Sequence, residues 1–563
     1  MSLSTLKMTP LERFRRLLKI DKKDITQVYA YAFFNGIVNL SLPLGIQAII
    51  NLIQGGEMTT SWVILVAFVI GGIALTGILQ LLQLRIVENI AQKIFSKASF
   101  EFAYRIPRIK FSAFYNYYAP ELTNRFFDTM TIQKGLPKIL IDFSLALFQI
   151  FVGLIVLSLY HNFFILFSFI LGLLLYVIIA ITGPKGMTTS LTESKYKYNI
   201  AFWLEEIART KLSFKLYSSS DLNLDKSNDH VDKYLNAREN HFGVLVNQFL
   251  YLIGFKVIIA AGLLVTGSIL VFNQEMNIGQ FVAAEIIIIL IIASVEKLIG
   301  SLDSIYDVLT ALEKIGYVTD MPLDNEGGLA LPTEKPFSVA FKNVSYAYPD
   351  NPELTLDKVS FEVPSGKSIY IDGPSGAGKS TILNLIAGVE NPQSGTILFN
   401  GQSFQSLCNK RLHENIGFVL SHNDIFQGTI LENITMGREN ATLNLVNRAI
   451  EITRLEDFIS TLPNGLNTIL DPEGKKIPRG IQDKILLARA IATDPLLLIL
   501  EDPLDRVRTG EKEEIMKDLT SPGCNWTIII TSVDANWKKL IPDSITLNEG
   551  KIVKSTLNGK NDA

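Results

Sequence analysis

Six apolar runs in the first three hundred residues, each long enough to cross a hydrocarbon core of about 30 Å, decide what this chain can fold into. They run roughly over Thr26–Leu52, Ser61–Leu82, Leu136–Leu159, Phe163–Ile181, Val244–Phe272 and Gly279–Leu298. Lipid offers no partner for a backbone N–H or C=O, so runs of this length are expected as membrane-spanning helices. A hydrophobic fraction of 48% and a mean hydropathy of +0.27 are high for a soluble enzyme. The first run has no Arg-rich start, no small-residue cleavage site and Pro43 in its middle, so a retained span is expected and not a signal peptide.

Orientation follows from Lys and Arg, because positive loops stay cytoplasmic. The N-terminal segment carries Arg13, Arg15, Arg16, Lys19, Lys22 and Lys23. The long connections Gln83–Gly135 and Thr182–Gly243 are also basic, whereas the short loops near Gly55, His161 and Gln274 carry no Lys or Arg. Both termini are therefore expected in the cytoplasm, in a plasma membrane or, for a bacterium, the inner membrane. With basic clusters explained by topology and lipid headgroups, a net charge of -3 gives no case for nucleic acid. Cys408 and Cys524 are read as reduced cytosolic thiols without disulfide or metal roles.

Long connections without structure are rare in compact proteins, so the two basic ones are expected as helix extensions. Segments Glu88–Phe95 and Trp203–Arg209 have helical apolar spacing with charges between, and spans two to five should continue below the membrane as paired rods. Helix after the sixth span should reach about Tyr317. Asp320–Gly328 with Pro332 and Pro336 then reads as a linker. The expected domains are a cytoplasmic segment 1–23, a membrane domain 24–317, a linker 318–336 and a soluble domain 337–563.

The soluble domain declares its chemistry at Gly373–Ser380, GPSGAGKS, which satisfies the phosphate-loop pattern G-x-x-x-x-G-K-[ST] in full. The preceding Ser368–Asp372 reads as a buried strand and Lys379 onward as a helix, so the glycines sit where backbone N–H groups can cradle phosphates at a helix N-terminus. Gly373, Pro374, Ser375, Gly376, Ala377, Gly378, Lys379, Ser380 and Thr381 are the expected nucleotide contacts. Lys379 would reach the terminal phosphates and the Ser380 hydroxyl would ligate Mg²⁺.

With these motifs the chain resembles a half-transporter of the ATP-binding-cassette (ABC) exporter superfamily over essentially its whole length. The resemblance implies a six-span α-helical membrane domain of exporter type 1 fused to an α/β P-loop NTPase domain, with a helical subdomain around Ile430–Ala490. It also implies ATP and Mg²⁺ as ligands and a second half-transporter as partner in a lipid bilayer. Tyr348 matches the aromatic that stacks on adenine. Ile416–Val419 with Phe426, Gly428–Ile430 and Glu432–Ile434 matches the segment that contacts the membrane domain, and Leu487–Ala490 with Asp494 and Pro495 leads into an apolar strand Leu496–Leu500. Leu42–Ile50 resembles the peptide and protein exporters, although the short N-terminus leaves no room for their peptidase domain.

The departures are concentrated where the family hydrolyses ATP. Ser421 stands at the family's metal- and water-sensing glutamine. Ile477-Pro478-Arg479-Gly480-Ile481 stands at the signature L-S-G-G-Q, where Pro478 offers neither hydroxyl nor N–H and Arg479 adds bulk, unless its guanidinium substitutes. The metal-binding Asp and catalytic Glu are exchanged for Glu501 and Asp502, moving each carboxylate by roughly 1.5 Å, where about 1 Å can cost around a hundredfold in rate. Ser532 replaces the histidine that contacts the γ-phosphate, and Pro503–Asp505 shortens the link that follows. Glu501 and Asp502 remain the catalytic candidates, with Ser380 and Glu501 for the metal.

Two readings of function stay open. One is ATP-coupled export by a dimer, of two like chains or with this chain as the degenerate half of a heterodimer; the other is an ATP-binding regulatory or scaffold subunit that transports nothing. Inside the membrane, Asn35, Asn39, Pro43, Gln47 and Asn51 recur every four residues, a polar line that drifts about 40° per repeat. It suits interhelical hydrogen bonds or the lining of a transport cavity. Lys256, Glu285 and Glu296 are ionisable residues within spans, and Lys256 and Glu296 fall at nearly the same depth, as an ion pair requires. An apolar cavity with a polar seam suits peptides, lipids and drugs alike.

Overall fold

The computed structural model describes residues 8–54, 60–115, 117–217, 219–324, 327–329, 335–349, 351, 353–421 and 424–557. The loop expected near Gly55 and the linker residues Asn325, Glu326 and Pro332 lie outside them. The chain divides into two units: Met1–Arg108 with Tyr117–Met321, and Ile109–Asn116 with Pro322–Ala563.

In the first unit six helical stretches are long and apolar enough to cross a membrane: Lys22–Gln54, Thr60–Arg108, Ala119–Ser158, Asn162–Arg209, Leu222–Phe272 and Ile278–Thr319. The second, fourth, fifth and sixth contain 49, 48, 51 and 42 residues. At about 1.5 Å per residue they are roughly 63 to 77 Å long, about twice the hydrocarbon core, so each continues as a rod beyond its apolar stretch. The sixth runs to Thr319, past the Tyr317 expected from sequence.

Pro43 bends the first span by a route that its chemistry specifies. Proline has no N–H and its ring crowds the carbonyl four residues earlier, here Asn39. The helix Lys22–Val38 accordingly stops, and Ser41–Gln54 resumes after Asn39 and Leu40. Pro137 precedes a π-helical turn, Lys138–Phe143, in the third span. Two members of the polar line hold neighbouring helices. Asn35 is fully buried and donates to Thr76 O (3.2 Å), while Gln47 accepts from the Tyr160 hydroxyl (2.6 Å). Lys256 and Glu296 form an ion pair, Nζ to Oε2 at 2.7 Å.

The second unit contains twelve described strands: β1 (Val339–Tyr346), β2 (Leu356–Val363), β3 (Ser368–Asp372), β4 (Ser394–Phe399), β5 (Gln402–Ser403), β6 (Ile416–Val419), β7 (Gly428–Thr429), β8 (Ile469–Leu470), β9 (Leu497–Glu501), β10 (Thr527–Thr531), β11 (Ser544–Asn548) and β12 (Lys551–Ser555). They form an antiparallel sheet β2-β1-β4-β5, a larger sheet β12-β11-β3-β10-β9-β6 that is parallel except at β11–β12, and the pair β7-β8. Every residue of β9 and β10 is buried, as expected of interior parallel strands rich in Leu and Ile. The apolar strand expected at Leu496–Leu500 is shifted by one residue, because Glu501 pairs with Thr531 and closes the ladder.

Helices α1 (Lys379–Ile386), α2 (Ile430–Thr435), α3 (Leu443–Ile452), α4 (Glu456–Ser460) and α5 (Arg479–Ile491) follow in chain order. The last four build the expected helical subdomain. Arg489 of α5 ties it to α2: Nε donates to Asn433 O (2.7 Å), Nη2 to Asn433 Oδ1 (3.1 Å) and Nη1 to Asp424 O (3.0 Å). Burial pulls the Arg489 pKa down to about 10.

Candidate nucleotide site

Strands β3, β10 and β9 are neighbours in parallel register, so their carboxyl ends present the loop after Asp372, the loop after Thr531 and the Glu501–Asp502 pair along one edge of the sheet. Open parallel sheets bind ligands at that edge. The loop Gly373–Gly378 turns through left-handed backbone at Gly373, Gly376 and Gly378, with φ of 142°, 81° and 99°. Side chains are excluded at two of these. A Cβ on Gly373 would meet Leu547 O at 2.4 Å, and one on Gly378 would meet Leu356 Cδ2 at 2.7 Å. At Gly376 nothing lies within 4 Å, leaving that side of the loop open.

Pro374, Ser375, Gly376 and Ser380 are exposed, whereas Ala377, Gly378 and Thr381 are buried and anchor the turn. Lys379 is half-buried, and its Nζ donates to Gly373 O (2.8 Å) and Pro374 O (2.9 Å), arching over the loop. The arrangement, open backbone at a helix N-terminus with an ammonium above it, fits a chain of phosphates.

Asp372 steadies the entry to the loop. Its Oδ1 accepts from Gly373 N–H (2.8 Å) and its Oδ2 from Lys538 Nζ (2.6 Å). The Lys538 bond, with the Gly373 N–H, holds this carboxyl below the usual range despite partial burial. Tyr348 is half-buried, hydroxyl to hydroxyl with Thr381 (3.1 Å), and its ring packs edge-on against Tyr346 and Tyr115 at 5.1 and 6.0 Å. Tyr115 belongs to the short segment that joins this unit from between the second and third spans. Its hydroxyl donates to Glu390, and burial pushes the phenol pKa up. Sequence reasoning missed Tyr115, Glu390, Asp372 and Lys538; the contacts join positions up to 275 residues apart and leave no local pattern.

The carboxylates at the hydrolytic position are already engaged. Glu501 is 9% exposed, and its Oε2 accepts from Ser421 N–H (2.9 Å), so Ser421 contributes backbone where the family uses a side chain. Among the described residues the other Glu501 oxygen accepts no hydrogen bond. Asp502 takes a left-handed φ of 42°, and its Oδ1 accepts from Val533 N–H (2.9 Å) in the loop that carries Ser532. The Ser532 Oγ accepts from Asp534 N–H (3.1 Å), and its carbonyl accepts from the Tyr370 hydroxyl. At the signature position Pro478 caps α5 without a side-chain bond, and Arg479 stands exposed in the first turn. A Cβ on Gly480 would meet Arg506 O at 2.8 Å.

Two family models match the chain: the ABC transporter transmembrane region over residues 28–295 and the ABC transporter domain over residues 356–505. The uncharacterized ABC transporter ATP-binding protein YfiC of Bacillus subtilis is 36% identical over 38% of this chain and 36% of its own length. The alpha-hemolysin translocation ATP-binding protein HlyB of Escherichia coli O157:H7 is 29% identical over 47% of this chain and 37% of its own. The match thus spans little more than a third of either relative. The ATP-dependent lipid A-core flippase of Desulfotalea psychrophila aligns over 85% of this chain and 84% of its own length at 24% identity. A solved bacterial Atm1-family ABC exporter with ATP bound shares the fold, with a TM-score of 0.79, 19% identity and 95% coverage of both chains.

Proposed function

We propose, on the premise that this chain belongs to the ABC transporter family, that it is half of a dimeric, ATP-coupled exporter that holds MgATP at its own phosphate loop and turns it over slowly. One observation carries the reading. A complete phosphate loop lies beside Asp502, a carboxylate one methylene shorter than the glutamate of the family pattern and with its Oδ1 held by Val533 N–H, so that Oδ2 alone is left to act on water. Lys379 and the N–H groups of Gly376 to Ser380 would bind the phosphates, and Tyr348 the adenine. Ser380 and Glu501, whose Oε1 accepts no hydrogen bond among the described residues, would hold Mg²⁺, which when bound would offset phosphate charge.

The membrane unit supports the multi-pass reading, and the distribution of Lys and Arg supports termini and nucleotide domain in the cytoplasm. A partner half-transporter with its own intact signature would complete the site on this chain's phosphate loop and make it a holding site, with closure of the dimer switching the membrane domains between inward and outward states. The relatives' names mention a hemolysin and lipid A core, so family membership leaves the cargo class unassigned.

The test is turnover by the chain purified alone in lipid, with Asp502→Asn and Glu501→Gln as controls. MgATP binding with near-zero hydrolysis is expected, with the hydrolysis rate no lower in either variant and Mg²⁺ dependence weakened only in Glu501→Gln. Rapid hydrolysis lost in either variant overturns the degenerate reading and restores a homodimeric exporter. Co-purification from the native membrane should bring down a second half-transporter with intact motifs.

A further inference from the structure

Tyr348 is wedged in place by residues far from it in the chain. It follows β1 by two residues, and its hydroxyl meets that of Thr381 in the first turn of α1 (3.1 Å), which sets its ring beside the phosphate loop. Two other rings stand edge-on to it, Tyr346 at 5.1 Å and Tyr115 at 6.0 Å, with interplanar angles of 85° and 78°. Edge-to-face pairs at such spacings attract, and two of them together with the Thr381 contact leave the Tyr348 ring little freedom to turn.

Tyr115 is itself held. Its hydroxyl donates to Glu390, four residues beyond the end of α1, and Glu390 is only 4% exposed. Among the described residues no Lys or Arg pairs with that carboxylate, so the phenol is what satisfies it. Gln393 closes the circuit. Its N–H donates to Ser345 O (3.0 Å) and its Nε2 to Ala347 O (3.1 Å), tying the turn that carries Glu390 to the backbone that carries Tyr346 and Tyr348. Further back, Lys110 N–H donates to Pro322 O (2.9 Å) and Ile109 bridges Leu323. Residues 109–115 are thus packed into the second unit, while the same chain runs on either side into the helices of the second and third spans.

A base that stacks on Tyr348 gains most when the ring is already fixed, because less freedom is then lost on binding. Coupling of this kind is reciprocal, so whatever steadies the base must in turn be steadied by it. We propose that Tyr115 is a positioning residue for the nucleotide base: it holds Tyr348 for stacking, and an occupied base site stiffens residues 109–115. The connection between the second and third spans then reads the adenine and not the γ-phosphate. The inference rests on Tyr348 as the adenine partner, and it requires neither a dimer nor hydrolysis. It gives a chain with slow turnover a signal that MgADP and MgATP deliver alike.

Isothermal titration of MgATP and MgADP into the full chain in nanodiscs tests it, with melting temperatures taken without nucleotide to certify folding. Tyr348→Ala should weaken both nucleotides about tenfold, as loss of a stacking platform does. Tyr115→Ala should weaken both by one factor, about fivefold, the size of one lost aromatic pair. Added to Tyr348→Ala it should cost less than about twofold more, because its effect passes through that ring. Tyr115→Phe with Glu390→Gln, which keeps the ring and removes the buried charge, should stay within about twofold of the unaltered chain. Amide hydrogen exchange at residues 109–115 of the unaltered chain, which needs no variant, should slow as much with saturating MgADP as with MgATP. Undiminished affinity in Tyr115→Ala, equal weakening with and without the Tyr348 ring, a loss confined to MgATP, or exchange unmoved by MgADP would each overturn the proposal. Undiminished affinity in Tyr348→Ala would instead remove Tyr348 from the adenine, a failure of the nucleotide-site reading that takes the proposal with it.

Discussion

Replacing Lys256 and Glu296 by Ala, singly and together, measures what the pair contributes to the membrane unit. Lys256 lies sixteen residues before Phe272 and Glu296 eighteen after Ile278, the helix ends that flank the turn between the fifth and sixth spans. At about 1.5 Å per residue both sit roughly 24 to 27 Å from that turn, near the far edge of a hydrocarbon core of about 30 Å. A charge at the centre of the core costs about 2.5–3.5 kcal/mol, and one near the edge less, because a long side chain can extend its head toward the interface. An orphaned partner should therefore cost about 1–2 kcal/mol in either single variant. The double variant removes both charges, and with the two ends 2.7 Å apart its loss should fall about 1 kcal/mol short of the summed singles. Thermal unfolding in nanodiscs gives the three values on one scale. Strictly additive losses would refute the pairing, whatever their individual size.

Lys379→Ala should abolish the melting shift caused by MgATP, a stabilisation of about 2.7 kcal/mol at a hundredfold excess over Kd; an undiminished shift would remove Lys379 from the site. Arg489→Met strands the Asn433 and Asp424 carbonyls and should cost about 2–3 kcal/mol in thermal unfolding, with Arg489→Lys recovering less than half, since an ammonium cannot reproduce three fixed donors. His413 donates from Nε2 to Ala387 O at the end of α1 (2.8 Å), and burial depresses its pKa despite that bond and the nearby Asp324. The unfolded imidazole takes up a proton below about pH 6.5 while the native one resists. Its contribution is therefore fully present above that pH and is lost as the pH falls below it, by at most about 1.4 kcal/mol per unit. Melting temperatures at pH 7.5 and 5.5 should converge in His413→Gln, and an unchanged pH difference would exclude this histidine.

The spans could be read from sequence because the bilayer imposes a length, and the phosphate loop because its chemistry imposes a spacing. The agreement of Lys256 and Glu296 in depth was legible for the same reason: a helix converts residue number into distance. The interruption at Asn39 and Leu40 follows from proline chemistry at Pro43, which acts on the carbonyl four residues earlier. What escaped was any contact without a local rule. The meeting of Tyr115 with Glu390 and Tyr348 depends on how distant segments pack, and the bond from Val533 to Asp502 depends on a φ that no pattern of residue types reports. The contact from Ser421 to Glu501 is made by its backbone N–H, which no residue type reports.

The bond between Asp502 and Val533 bears on how such a chain can change over generations. Aspartate is among the few residues besides glycine that occupy left-handed backbone readily, and its short arm reaches the neighbouring N–H. Glutamate fits that backbone less well and, being longer, would leave the exposed Val533 donor to water, at a cost of about 1 kcal/mol. Asp502→Glu alone is therefore expected to give a less stable protein. A substitution at position 502 is thus coupled to the loop after β10, and a longer carboxylate there would be accommodated only together with changes at Ser532 and Val533.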